Sequence, residues 1–311
     1  MHDALGDVVH RWSTLKEPWV ASHLGYGSGG HAPGIADGAA SLAASHHLLL
    51  GHGLATEVLR AGRHRDTQVG ITLNLTVAVP GGDDPADAAA AWRTDGDSNR
   101  YFLDPVLLGR YPPDLVEWFG PDAYGFVRDG DLAHMAVPLD FLGVNYYMRA
   151  HVRAAGPNAG RSLLPSLGVA SVVPAGLPTT AMGWPVEPDG LRQLLVRLRK
   201  DYPSLPPVYI TENGAAIDDV AADGTVDDPD RIAYLDGHLR AVHQAISEGV
   251  DVCGYCVWSL LDNFEWAEGY DKRFGIVYVD YDTQERIPKS SARWYAGVAG
   301  ANGLPELPDR G

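Results

Sequence analysis

Residues 207–214, Pro-Val-Tyr-Ile-Thr-Glu-Asn-Gly, constrain the fold more than any other stretch of the chain. The β-branched and aromatic run Val208-Tyr209-Ile210 reads as a buried strand, and Asn213-Gly214 ends it with a strong turn signal. Glu212 therefore stands at the carboxyl end of a core strand. In barrels and open α/β sheets that is where catalytic groups sit.

The same arrangement recurs along the chain. Arg11-Trp12-Ser13-Thr14-Leu15 is a short strand candidate ended by Lys16-Glu17-Pro18, because proline cannot donate to a sheet ladder. Glu17 is thus a second strand-end carboxylate. Residues 68–79, 139–147 and 252–260 read as further strands. Helical spacing fills the intervals at about 37–61, at Leu191, Leu194, Leu195 and Leu198, and at 231–247, with a helix start inside 80–98. Residues 25–34 hold too many glycines for a regular element and read as a loop, while 153–190, rich in Pro, Gly, Ser and Ala, read as a long surface excursion. Strand and helix alternate five times, with connections long enough for right-handed parallel crossovers. That pattern suggests a (β/α) barrel or a doubly wound sheet. Dinucleotide and P-loop glycine fingerprints are absent, and polar groups at five strand ends favour the barrel.

Charge narrows the partners. With 24 Lys and Arg against 40 Asp and Glu, the formal net charge of −16 repels nucleic-acid phosphates and anionic membrane surfaces. A neutral small molecule fits better. No N-terminal stretch has the basic and apolar regions of a signal peptide, and nothing approaches about 18 uninterrupted apolar residues, so a cytoplasmic protein is expected. Cys253 and Cys256 lie in a strand-like run where period two puts them on opposite faces. They read as structural thiols rather than a redox or zinc pair. His46, His47 and His52 read as packing or solvated residues, and Trp12, Trp19 and Trp184 as packing.

Five segments carry a family resemblance: Thr14-Leu15-Lys16-Glu17-Pro18-Trp19 with His31-Ala32-Pro33-Gly34; Asn99-Arg100-Tyr101-Phe102-Leu103-Asp104-Pro105; residues 140–147; residues 209–214; and Trp258-Ser259-Leu260-Leu261-Asp262-Asn263-Phe264-Glu265-Trp266 running on to Arg273-Phe274-Gly275-Ile276. In order and from end to end, they resemble family 1 glycoside hydrolases, the retaining β-glucosidase group. The resemblance implies an α/β fold that is a partial (β/α)8 TIM barrel, corresponding to βα units four to eight. Residues 1–311 would form a single catalytic domain from which the N-terminal three units are absent. It further implies hydrolysis of β-D-glucosides or related β-glycosides through a covalent glycosyl-enzyme intermediate, with no metal and no cofactor. Retention requires two carboxyl groups about 5 Å apart, one a nucleophile and one an acid that becomes a base. By the resemblance Glu212 is the nucleophile, Glu17 the acid/base, and Tyr147 the hydrogen-bond donor to the nucleophile, with Asn145 beside it. Trp258 offers a flat face to a pyranose, Glu265 can accept two sugar hydroxyls, and Trp266 can donate through its indole nitrogen.

Two departures follow from the same comparison. The family carries asparagine immediately before its acid/base glutamate, and here that position is Lys16. Its ammonium would favour ionised carboxylates and leave Glu17 harder to keep protonated. Five strands, moreover, cannot close an eight-stranded barrel, and the free edges would be open to a complementing chain or to self-association. A catalytically inactive homologue, or a sugar-binding or interaction protein on a partial barrel, is the alternative reading.

Overall fold

The computed structural model describes residues 1–64, 66–155 and 167–306. Five strands form one parallel sheet in chain order: β1 (Arg11–Lys16), β2 (Gln68–Asn74), β3 (Phe141–Asn145), β4 (Val208–Asn213) and β5 (Val252–Val257). Neighbours in sequence are neighbours in space, as the strand–helix alternation predicts. Together with the helices described below, this is the partial (β/α)8 barrel that the resemblance implies.

Three strands are shorter than their apolar runs suggested, 139–147 shrinking to Phe141–Asn145, 252–260 to Val252–Val257 and 68–79 to Gln68–Asn74. The stretch 68–79 breaks after Asn74, and Val77–Pro80 instead pairs with Arg149–Ala154, which in turn pairs antiparallel with Val169–Ser171. The switch is local: Asn99 donates its side-chain amide to the Thr76 carbonyl and accepts from the Thr76 N–H, drawing the chain out of the main sheet. Part of the predicted surface excursion is therefore strand, and residues 156–166 lie outside the described residues. The glycine-rich stretch 25–34 also begins inside wide helical turns, Val20–Gly27, before it opens into a loop.

The principal helices are α1 (Gly38–Ala61), α2 (Pro85–Asp95), α3 (Tyr101–Leu108), α4 (Asp189–Asp201), α5 (Pro229–Ser247) and α6 (Ser290–Ala301). Asp37 caps α1 by accepting from the backbone N–H groups of Ala39 and Ala40, and Asp84 caps α2 ahead of Pro85. Leu191, Leu194, Leu195 and Leu198 make one buried stripe on α4. They meet Leu142, Val144, Val208 and Ile210 from the sheet, and Tyr101, Phe102 and Leu103 from α3, in the main core. The other face of the sheet carries Gly70, Thr72, Gly143, Tyr209 and Thr211, residues small or polar enough to line a lumen. A Cβ on Gly143 would lie 2.5 Å from the Thr72 hydroxyl and 3.0 Å from Thr211 Cγ2, so glycine is required there.

Burial falls toward the edges. β2 and β3 are buried almost throughout, whereas Arg11, Ser13, Cys253 and Cys256 on β1 and β5 are exposed. Both cysteines are free thiols. Among the described residues, neither β1 nor β5 has a second strand neighbour. Unpaired N–H and C=O rows of this kind template further pairing. The chain is expected to self-associate as its concentration rises and to melt at modest temperature. Light scattering and thermal melts check this, and a monomer with a sharp, high-temperature transition would contradict it.

Candidate active site

The ends of β1, β3 and β4 converge on one cavity of about 560 Å³. Glu17 follows β1 in a left-handed backbone conformation, φ 49°, that a non-glycine residue adopts at a cost of roughly 1–2 kcal/mol. Its N–H remains bonded to the Thr72 carbonyl at 2.8 Å, so the turn is held by the sheet while the side chain enters the cavity. Glu212, near the end of β4, pairs with Asn145 of β3 across an irregularity between Val144 and Asn145. These two glutamates are only 12% and 8% exposed.

A single ammonium joins them. Lys16 Nζ lies 3.3 Å from Glu17 Oε2 and 3.1 Å from Glu212 Oε1, as the sequence departure suggested it could. Asn145 Nδ2 donates to Glu17 Oε1 at 2.7 Å, and the Tyr147 hydroxyl donates to Glu212 Oε2 at 2.7 Å. Every oxygen of both carboxylates thus has a donor. Burial and the neighbouring Glu17 raise the pKa of Glu212 above the ordinary glutamate value, against the opposing pull of Tyr147 and Lys16. Burial lowers that of Lys16, but the two carboxylates outweigh it and hold the lysine above its usual value. Tyr147, desolvated and facing Glu212, is pushed well above the ordinary phenol and stays a donor.

The second half of the site comes from the segment after β5. Trp258 lies with the Lys16 ammonium 5.0 Å from its ring centroid. Gly214 permits this: a Cβ there would lie 1.8 Å from the Trp258 carbonyl oxygen, so the glycine read as turn punctuation is required for close approach. Glu265 lines the cavity with Oε2 buried and unpartnered, and burial raises its pKa. Trp266 is 58% exposed and stacks against His31 with centroids 5.8 Å apart. A buried lattice of three cations and three carboxylates anchors the segment: Lys289 bonds Asp219 at 2.5 Å and Asp262 at 3.0 Å, Arg273 bonds Asp262 at 2.6 Å, and Arg231 bonds Asp219 and Asp228.

A family model described as glycosyl hydrolase family 1 matches residues 1–304. The chain belongs to that family. It is 46% identical to a bifunctional beta-D-glucosidase/beta-D-fucosidase of Bifidobacterium breve, over 94% of this chain and 64% of that protein. It is 48% identical to thermostable beta-glucosidase B of Thermobispora bispora, over 98% and 61%. The chain therefore spans somewhat under two thirds of these relatives' length. Among solved structures it superposes on the psychrophilic beta-glucosidase BglU of Micrococcus antarcticus with a TM-score of 0.91 at 48% identity, covering 97% of this chain and 67% of that one.

Against this family 1 frame, the site gathers all seven residues singled out from sequence, and the cavity adds others. Trp19 and Trp184, read as packing, both line it: Trp184 meets Tyr147 edge-on at 5.4 Å, and Trp19 donates to Asp97. Thr211 was missed. Its hydroxyl donates to Asn145 Oδ1 at 2.6 Å, which fixes the amide so that Nδ2 faces Glu17. Period-two alternation from Tyr209 places Thr211 on the lumen face, but only the irregular pairing between Ile210 and Glu212 brings it to the same side as Glu212. Trp12 does pack, against His2 and outside the cavity.

Removing the buried lysine leaves Asp219 and Asp262 short of a partner. Lys289→Met is expected to destabilise the chain by about 3–5 kcal/mol. Denaturant unfolding measures this as a fall in midpoint, and an unchanged midpoint would show that the lattice does not hold the fold.

Proposed function

We propose that the cavity is that of a retaining β-glycosidase acting on β-D-glucosides or related β-glycosides. The observation that carries it is the pair of buried carboxylates on one ammonium. Two oxygens lying 3.1 and 3.3 Å from the same nitrogen are closer to one another than the roughly 6.5–9.5 Å of an inverting pair. Glu212, held by Tyr147, serves as nucleophile and forms the glycosyl-enzyme; Glu17 serves as the base that activates water in the second step. Glu265 accepts sugar hydroxyls through its free Oε2, and Trp258 packs on the ring. Related proteins support the substrate class: a Thermotoga maritima family 1 glycoside hydrolase, 42% identical, has been solved with a cyclophellitol analogue described as a transition state mimic. Neither metal nor cofactor enters this scheme.

Glu212→Ala is expected to lose turnover by on the order of 10⁴ or more, about 5.5 kcal/mol of barrier. Azide should restore part of it and release the α-glycosyl azide, the inverted product. An unimpaired variant would overturn the assignment. The pH dependence has a definite sign as well. Lowering the pH protonates Glu212 and removes the nucleophile, and its raised pKa places the acid limb of kcat/KM above the ordinary glutamate value of about 4.3. A limb at or below that value would contradict the environment described for Glu212.

The alternative, a sugar-binding protein without turnover, draws on one observation, the same lysine clamp. It predicts glucoside binding by calorimetry that survives Glu212→Ala with no covalent adduct formed.

A further inference from the structure

Glu17 is bonded in an unusual way for a group that must give a proton to a departing oxygen. Both its partners are donors: the Asn145 amide on Oε1 at 2.7 Å and the Lys16 ammonium on Oε2 at 3.3 Å. The Thr211 hydroxyl donates to Asn145 Oδ1 at 2.6 Å, which leaves Nδ2 facing Glu17. The ammonium cannot accept at all. These contacts fit a carboxylate, and the ammonium on Oε2 offers a carboxylic acid nothing to donate to. Lys16 is itself 44% exposed yet anchored at three points, the two carboxylates and the Trp258 ring.

We propose that Lys16 is a specificity-determining residue that restricts this site to β-glycosides whose aglycone leaves as a stabilised anion, such as phenols and carboxylic acids, and against alkyl glycosides and sugar–sugar linkages. This rests on the glycosidase reading above. In the first step a Glu212 oxygen bonds to C1 while the C1–aglycone bond breaks, and the electron pair departs on the aglycone oxygen with no proton supplied. In the second, water bonds to C1 and passes a proton to Glu17. The C1–Glu212 bond breaks and returns its electrons to Glu212, and Glu17 then loses its proton to solvent. The clamp withholds a proton only from the first step, since the second begins with Glu17 as a base. Selectivity therefore follows from the leaving group and not from the sugar.

The test uses the full chain, as wild type and as Lys16→Asn, Lys16→Met and Lys16→Arg, on 2,4-dinitrophenyl, 4-nitrophenyl, phenyl and methyl β-D-glucosides. The wild type should show a steep fall in kcat/KM from dinitrophenyl to methyl. Lys16→Asn should raise methyl glucoside turnover by about tenfold or more relative to its effect on the dinitrophenyl rate, about 1.4 kcal/mol, so that the spread between the two substrates narrows. Lys16→Met covers the case in which the asparagine variant fails to fold, and Lys16→Arg, which keeps the charge, should keep the steep dependence. A purely structural lysine would move all four substrates together. The same dependence in wild type and both uncharged variants overturns the inference. Labelling with 2,4-dinitrophenyl 2-deoxy-2-fluoro-β-D-glucoside separates the two claims, because it needs no acid. An adduct on Glu212, seen as a mass increase, upholds the glycosidase reading whatever Lys16 does. No adduct and no turnover in any variant overturns that reading and this inference with it.

Discussion

Parallel pairing in a fixed register is the constraint on which the site depends. Asn145 sits opposite Asn74 on one side and Glu212 on the other. The pairing steps from Ile210 to Glu212 against Val144 and Asn145, and this irregularity at Thr211 sets Glu212 on the lumen side although Val208 and Ile210, of the same parity, face the helices; a slip of one residue would move it away. Apolar packing forbids that slip: Val208 and Ile210 are wholly buried against α4. Asn213 reinforces it from outside the barrel, donating to the Tyr146 carbonyl at 2.7 Å and accepting from Tyr255 at 2.5 Å. The strand that presents the carboxylate is thus locked from its opposite face.

Charge is arranged differently in the two halves of the molecule. Beneath the segment after β5, three cations and three carboxylates balance, and Arg231 and Lys289 are wholly buried. Such a lattice tolerates no loss, since each missing partner strands a charge in a medium of low dielectric. The cavity has one ammonium for two carboxylates, with Glu265 nearby as a third. Burial above all, with the neighbouring Glu17 carboxylate adding to it, raises the pKa of Glu212 and Glu265, and the two carboxylates hold the pKa of Lys16 up against its own burial. Lys16 is half in water, so its contacts can exchange with a substrate where those of Lys289 cannot.

Much of this was legible in the residues. Strand–helix alternation predicted the parallel order, and the strand-end positions of Glu17 and Glu212 predicted that they would meet, because barrels gather strand ends at one rim. The leucine stripe of α4 was a local signal with a local cause. Where reading failed, the cause was long-range. Nothing near Thr76 announces that Asn99 will pull it out of the sheet, and nothing in Trp19 or Trp184 distinguishes a cavity wall from a core.

The sequence by itself determined the periodicities, the turn signals and the identities of the charged groups, since these depend on neighbours a few residues apart. It also determined that a lysine precedes Glu17. Only the tertiary structure decided that this lysine reaches Glu212, some 196 positions on, that Thr211 orients Asn145, and that Gly214 is needed for the Trp258 carbonyl rather than for a turn. Each of those depends on distances of about 3 Å or less between strands remote in the chain, and such distances exist only once the register and the packing of α3, α4 and α5 have brought the strand ends together.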